Sequence, residues 1–245
     1  MKFAAPGLVA LTLFALPVHA ADPAFTPAQE EALQTLVHNY LVEHPEVLLE
    51  SMKALDRKQK MAEAEARQQA LSDHRDDLFR NDLDPMAGNP KGDVTIVEFF
   101  DYRCGFCKQV FPSLMEAMAE DGKVRMVFKE YPVLGPESQL AARASLAALP
   151  QKKYLEFHQI MMAYDGAFSE ETILSMAKEA GLDVERLKKD MKSRAVDKHL
   201  SATRELAHAM GFSGTPALVI GDTVIPGAAP KETILEAIAE ARKNL

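Results

Sequence analysis

Apolar positions along the chain change spacing several times, and each change predicts an element. Leu8 to Leu16 form a short apolar run. Leu33, Leu36, Val37, Tyr40 and Leu41 then recur at helical intervals, which predicts an amphipathic helix. Pro45 interrupts that stripe. Proline is favoured in a first helical turn, so a second helix is predicted to start there, with Leu48, Met52 and Leu55 on one seam. The seam continues through Gln59, Ala62, Ala66 and Gln69, so its apolar character fades. Asp84-Pro85, Gly88-Asn89-Pro90 and Lys91-Gly92 are turn and breaker pairs, which place a domain boundary in a linker over 81–92. Beyond it, Val94 to Phe100 is a β-branched and aromatic run of strand length, as expected of a buried central strand. Val110, Phe111, Leu114, Met115 and Met118 predict a helix over Lys108 to Glu120, and Val124 to Phe128 a second strand. Together these make a βαβ unit.

From Pro136 to Met210 the pattern is helical throughout. Tyr154, Phe157 and Met161 form one stripe, Ile173, Leu174 and Ala177 another, with Gly181 as a stop. Val184, Leu187 and Met191 follow, then Thr203, Leu206 and Met210, closed by Gly211. After Thr215-Pro216 come short strands from Ala217 to Ile220 and up to Ile225, joined by a Gly221-Asp222 turn, and a last helix carrying Ile234, Leu235 and Ile238.

The N-terminal run changes meaning once its flanks are included. Lys2 gives a basic start, and Val18-His19-Ala20 a small-x-small site before Ala21, the layout of a cleaved signal peptide over 1–20. The run is too short to cross a bilayer comfortably, so export without stable membrane insertion is expected. The 225 residues that remain suit one domain with an appendage, or two small domains. Formal net charge is −8 for the whole chain, and no basic run interleaves with aromatics, which argues against nucleic acid as a partner. Residues 21–80 carry too few large apolar side chains for a core of their own. The first half reads as a helix seeking a partner, either another subunit or the body of the protein. The second half, from Lys58 to Arg80, reads as a solvated connecting helix or flexible tether.

Cysteine usage is the most informative feature. There are two, Cys104 and Cys107, in a chain expected to enter an oxidising compartment. A bridge over two intervening residues closes a very small loop and stabilises little, so redox chemistry explains the pair better than a structural role. Cysteines at i and i+3 where a strand ends and a helix begins suit dithiol exchange. The helix terminus lowers the pKa of the first thiol, and the second resolves the mixed disulfide. Cys104 is therefore read as the nucleophile and Cys107 as the resolving thiol. A zinc site would need two further ligands, and none of His38, His44, His74, His158, His199 and His208 is paired at ligand spacing near the motif. His158 lies on an apolar stripe and reads as a core or boundary residue rather than a ligand. No metal or cofactor is expected.

Two further residues stand out, each with two readings. Glu98 lies inside the apolar strand six positions before Cys104. A carboxyl buried there would have a raised pKa and suit proton transfer from Cys107, whereas strand alternation at an exposed edge would turn it to solvent. Thr215-Pro216 precedes a short strand. Proline there is often an edge device, but X-Pro bonds are also where cis peptides occur, and a cis bond would offer the Thr215 backbone to an extended substrate.

Taken together, Val97-Glu98-Phe99-Phe100-Asp101-Tyr102 before Cys104-Gly105-Phe106-Cys107, the helical stretch, Gly211-Phe212-Ser213-Gly214-Thr215-Pro216-Ala217 and the ending Ile225-Pro226-Gly227-Ala228 resemble the DsbA-like branch of the thioredoxin superfamily. The resemblance implies an α/β thioredoxin fold over 93–245, with a helical insertion at about 136–210 and an N-terminal helical segment before it. It also implies that Glu98 is the buried acid, that Pro216 is the cis-proline with Thr215 before it, and that Gly105, Phe106, Thr215 and Pro216 meet substrate. Tyr40-Leu41-Val42-Glu43-His44-Pro45-Glu46-Val47-Leu48 is similar to the N-terminal segment of the suppressor of copper sensitivity protein C group, in which that segment can build oligomers.

Oxidases of the DsbA type usually carry Pro-His between the cysteines. Gly105-Phe106 with Thr before the proline looks more like a periplasmic disulfide isomerase. The expectation is a periplasmic isomerase or reductase acting on exported proteins with cysteines, served by a membrane redox partner and forming a homo-oligomer through the N-terminal helices. A dithiol oxidase is the alternative. A copper(I)-binding protein of copper tolerance is a third reading, since a thiolate pair suits that ion.

Overall fold

The structure is a computed structural model that describes residues 25–245. The expected signal peptide over 1–20 lies outside the described residues. The chain divides into two compact units at Lys60, within a helix.

In the first unit, α1 (Pro27–Glu43) opens on a capping box: the Thr26 hydroxyl accepts from the Gln29 N–H while the Gln29 side chain accepts from the Thr26 N–H. Pro27 at the first helical position costs no hydrogen bond there. α2 (Glu46–Asp73) starts directly after Pro45. Leu33, Leu36, Val37, Tyr40, Leu48, Met52 and Leu55 lie on these two helices and are 41–68% exposed. No residue of α1 is buried.

The second unit is built on one mixed sheet, ordered β1-β3-β2-β4-β5. Central β2 (Val94–Phe100) runs parallel to β3 (Val124–Glu130), from Val94 opposite Val124 to Phe100 opposite Glu130. On its other side it pairs antiparallel with β4 (Ala217–Ile220), which turns into β5 (Thr223–Pro226). β1 (Met86–Gly88) closes the far edge antiparallel to β3. α4 (Gly105–Asp121) joins β2 to β3 and packs with α10 (Lys231–Lys243). Arg242 of α10 chelates Asp93 and Asp121 at 2.7–2.8 Å, fixing the helix to the residue before β2 and to the end of α4.

Between β3 and β4 stand α5 (Pro136–Ala147), a 3-10 turn at Leu149–Gln151, α6 (Tyr154–Ala163), α7 (Glu170–Glu179), α8 (Val184–Asp190) and α9 (Arg194–Ala209). Ser169, Asp183 and Ser193 cap the last three by accepting from backbone N–H groups. Gly211 follows α9 at φ +71°, a left-handed conformation that a side chain would strain.

Alternation along β2 divides the core. Ile96 and Phe100 face α4, α10 and the α5–α8 helices, with Leu114, Phe128 and Phe157 in the same cluster. Val97 and Phe99 face the opposite way, onto Leu206, Met210 and Phe212 and onto Leu71 and Leu78. Leu71 belongs to α2 and Leu78 to α3 (Arg75–Phe79), so the stretch read as a solvated helix or tether carries two buried anchors.

The segment read as a linker is likewise tied down. It contributes β1, and its Asp84 is buried in an ion pair with Lys129 of β3, with His199 Nε2 at 3.2 Å on the other carboxylate oxygen. Local breaker pairs signal turns. They carry no information about a strand or a charge whose partner lies some forty residues away.

Candidate active site

Because both faces of β2 are covered, alternation offers Glu98 no solvent side. It shares its face with Ile96 and Phe100 and stands opposite Phe128 and Leu218. The residue is completely buried, and neither carboxylate oxygen has a hydrogen-bond partner. Burial first, and then the negative charge of Cys104, push its pKa up to about 8. Between the two sequence readings, the buried one is what the structure shows.

At the end of β2 the chain turns through Asp101-Tyr102-Arg103 and enters α4 with Cys104 as its N-cap residue, in extended conformation. The Cys104 N–H donates to the Asp101 carbonyl at 3.0 Å. Its thiol donates to the Thr215 carbonyl at 3.2 Å, across 111 positions of sequence. The two cysteines are free thiols in unequal settings. A hydrogen bond from Cys107 is the main cause that brings Cys104 down to about 5. Burial opposes it, while Thr215 and the backbone N–H groups of Cys107 and Phe106 assist. Cys107, one turn along and fully buried, is pushed well above the ordinary thiol range by its hydrogen bond to Cys104, by burial, and by the charge of Glu98. Cys104 is thus the acidic thiol of the pair and Cys107 the one held protonated, with the buried Glu98 carboxyl raised by the first and raising the second.

The other candidates line the rim. Gly105 is the first residue of α4 and faces open space. Phe106 is 64% exposed, unusual for so large an apolar side chain. The Thr215–Pro216 peptide bond is cis, and Pro216 is buried. The structure therefore brings Glu98, Cys104, Cys107 and Thr215 together through β2, α4 and the loop before β4. Among the described residues, no group of three or more His, Cys, Asp or Glu side chains gathers to hold a metal ion.

Three features escape sequence reasoning. The Asp101 carboxylate accepts from the N–H groups of Val133 and Leu134 at 2.8 and 3.0 Å, and from that of Arg103 at 2.8 Å. Arg103 in turn donates to the Leu134 carbonyl and pairs with Glu137, so the cysteine loop is clamped to the β3–α5 loop.

A second feature is a buried polar cluster behind Tyr102. The Tyr102 hydroxyl lies 2.6 Å from Ser145 Oγ and 2.8 Å from His158 Nδ1, and donates to Glu130, which also accepts from Tyr154 at 2.9 Å. Burial raises Glu130 to about 8 and lowers His158 to about 3. His158 is a core residue, as its apolar stripe implies. Glu130 sits past Phe128, where the apolar run stops and the sequence reading ended the strand. The available signal was the shared register: Glu130 pairs with Phe100, two positions beyond Glu98 on the same face.

The third feature is Lys108, directly after Cys107. Its ammonium donates to the Tyr164 carbonyl and lies 3.4 Å from Asp165 and 5.7 Å from the Phe168 ring, holding the α6–α7 loop beside the motif.

Residues 95–239 match the family described as "DSBA-like thioredoxin domain", over more than half of the chain. The chain belongs to that family. Its fold is the DsbA-like thioredoxin fold with helical segments, preceded by N-terminal helix. A second family description, "Copper resistance protein ScsC N-terminal domain", matches residues 29–62.

Among solved structures, a thioredoxin-like oxidoreductase from Silicibacter pomeroyi is 42% identical, covers 69% of this chain and 98% of its own, and superposes with a TM-score of 0.68. A linker-deletion mutant of ScsC from Proteus mirabilis is 27% identical, covers 92% of this chain and 100% of its own, with a TM-score of 0.70. A probable disulfide bond formation protein D from Bacillus cereus is 29% identical over 161 residues, which are 60% of this chain and 74% of that protein. The DsbA-like region also matches the Na(+)/H(+) antiporter NhaA 1 of Salinispora arenicola, 26% identical, and there it spans 25% of the relative's length.

Proposed function

We propose that this DsbA-like chain is a periplasmic thiol–disulfide oxidoreductase that reshuffles disulfides in exported proteins, with Cys104 as attacking and Cys107 as resolving thiol. The observation that carries the reading is the asymmetry of the pair: Cys104 is brought down to about 5, chiefly by a hydrogen bond from Cys107, while Cys107 is buried and held protonated.

The Cys104 thiolate attacks one sulfur of a substrate disulfide. A mixed disulfide forms and the other substrate sulfur leaves as thiolate. That thiolate can attack a second disulfide within the same substrate, and the last substrate thiolate to form displaces Cys104. No net oxidation occurs. If the substrate stalls, Cys107 attacks Cys104, releasing substrate thiol and leaving an oxidised pair. Cys107 must then lose its proton inside the protein, and in this reading Glu98 takes it. Forming the mixed disulfide consumes the Cys104 charge, one of the two causes that raise Glu98. A larger share of Glu98 is therefore ionised, and able to accept a proton, at the step where Cys107 must lose one.

Phe106 and the Thr215 backbone are the surfaces that meet substrate in this reading, with Gly105 allowing close approach and Pro216 ending the docking edge. Gly105-Phe106 places no imidazole between the cysteines, which favours isomerase or reductase over oxidase chemistry. The N-terminal segment, residues 21–80, supplies the oligomer that holds misfolded substrate. Its exposed Leu36, Tyr40, Met52 and Leu55 support this, since an apolar face of that kind marks an interaction surface. Export through the 1–20 leader and a membrane redox partner complete the reading. No helix among the described residues is long and apolar enough to cross a membrane.

Reduced full-length protein added to a scrambled, multiply disulfide-bonded substrate is expected to raise the yield of native enzyme activity. No gain over a glutathione buffer alone would sink the isomerase reading. A dithiol oxidase remains the second reading, favoured by the name of the Bacillus relative. It predicts rapid oxidation of a reduced peptide and a potential near the oxidising end of the dithiol range. The name of the N-terminal family supports a part in copper tolerance through Cu(I) held by the two thiolates. Tight Cu(I) binding with no exchange activity would put that reading first.

A further inference from the structure

Next to the cysteine loop lies a cleft of about 730 Å³ that the exchange chemistry does not use. It is lined by Tyr131, Pro132 and Leu140 and by the polar side chains of Gln139, Arg143, Arg204 and His208. No carboxylate lines it, although the chain as a whole carries 36 acidic against 28 basic side chains. We infer that this cleft is a docking subsite for an extended, acidic segment of the protein whose disulfide is exchanged at Cys104. The inference deepens the proposed oxidoreductase reading and rests on it for the identity of the occupant.

The location is fixed by bonds already described. The rim of the cleft, Val133 to Gly135, is the loop whose N–H groups are held by Asp101 and whose Leu134 carbonyl is held by Arg103, the residue before Cys104. On the other side the Tyr131 hydroxyl donates to the Phe212 carbonyl, which anchors the loop that leads to Thr215. The cleft is thus joined to the two segments that flank the attacking sulfur, the cysteine loop and the loop before Pro216.

The occupant follows from charge and surface. Arg143 is engaged, donating to the Met191 carbonyl and pairing with Asp197. Arg204 and His208, one turn apart on α9, are exposed, and neither has an ion-pair partner among the described residues. An unpaired guanidinium and an imidazole beside apolar side chains suit a segment that alternates carboxylates with apolar side chains. A purely apolar segment would leave the guanidinium of Arg204 unanswered, and a basic one would be repelled. The electrostatic part acts mostly on encounter rate and fades as salt shortens the screening length to below about 10 Å.

The test uses reduced full-length protein and three extended peptides, each with one central cysteine blocked by glutathione as a disulfide. Their flanks are Asp/Leu, Gln/Leu or Lys/Leu. At low salt the acidic peptide is expected to react on the order of tenfold faster than the neutral one, and the basic peptide slowest. The acidic-to-neutral ratio should fall towards one in Arg204→Gln/His208→Gln and in high salt. Arg204→Glu should reverse the order in favour of the basic peptide. Because each ratio compares two peptides on one protein, a variant that merely loses overall activity does not mimic the effect.

Fluorescence anisotropy of the same peptides with serine in place of cysteine reads binding without chemistry. Weaker binding of the acidic serine peptide to the double variant supports the docking site even if exchange fails with every peptide, in which case the exchange reading falls and the cleft assignment stands. Equal binding of the three serine peptides, or an acidic preference untouched by the Arg204 and His208 substitutions, overturns the cleft assignment whatever the exchange activity.

Discussion

Glu98 pays for its position in the strand with its charge, and that cost sets a pH dependence. The folded protein holds the carboxyl near 8, against 4.5 when exposed. Below 4.5 the group is neutral in both states and adds no penalty. As pH rises from 4.5 towards 8 the unfolded chain ionises and the fold resists, so stability falls through that window and levels off above it. Glu98→Gln removes this contribution while filling the same volume. The stability advantage of the variant should therefore grow by up to about 4 kcal/mol between pH 5 and pH 8 in urea unfolding. A difference that does not change with pH would mean that Glu98 is not held neutral. Glu130, also near 8, titrates in both proteins and cancels in the comparison. At this scale the cysteines, Glu98 and Thr215-Pro216 were legible, because each is a residue type at odds with its local pattern. The cluster around Tyr102 was not, since Tyr102, Ser145, Tyr154 and His158 are unremarkable until the fold brings them to Glu130.

Elements with a strong period were legible with nearly correct ends: β2 runs from Val94 to Phe100 as the apolar run does, and the stripes after Pro136 are all helices. Elements held by distant partners were not. β1 is three residues long and exists because β3 offers it an edge. α3 is five residues long, too short to be stable alone, and stands because Leu78 is completely buried against the second face of the sheet. Leu78→Ala is accordingly expected to cost about 2–5 kcal/mol in urea unfolding, the range for a buried leucine truncation. A loss under about 0.5 kcal/mol would show that α3 does not anchor the domain.

For the molecule as a whole, the buried Leu71 and Leu78 move the cut that should separate assembly from catalysis. A deletion through residue 80, natural from sequence alone, would strip core residues. A deletion through Lys60 spares them. Full-length protein is expected to sediment as an oligomer and the shorter variant as a folded monomer that still exchanges thiols but refolds scrambled substrate poorly. A full-length monomer would contradict the assembly proposal.

The proposed chemistry depends on a thiolate at Cys104 beside a buried, protonated Cys107. The most direct test is the pH dependence of Cys104 alkylation by iodoacetamide in the reduced full-length protein, followed by mass spectrometry of the modified peptide. The expected profile is half-maximal near pH 5, with Cys107 unreactive across the range. A midpoint near 9, the ordinary thiol value, or equal labelling of the two cysteines would contradict it.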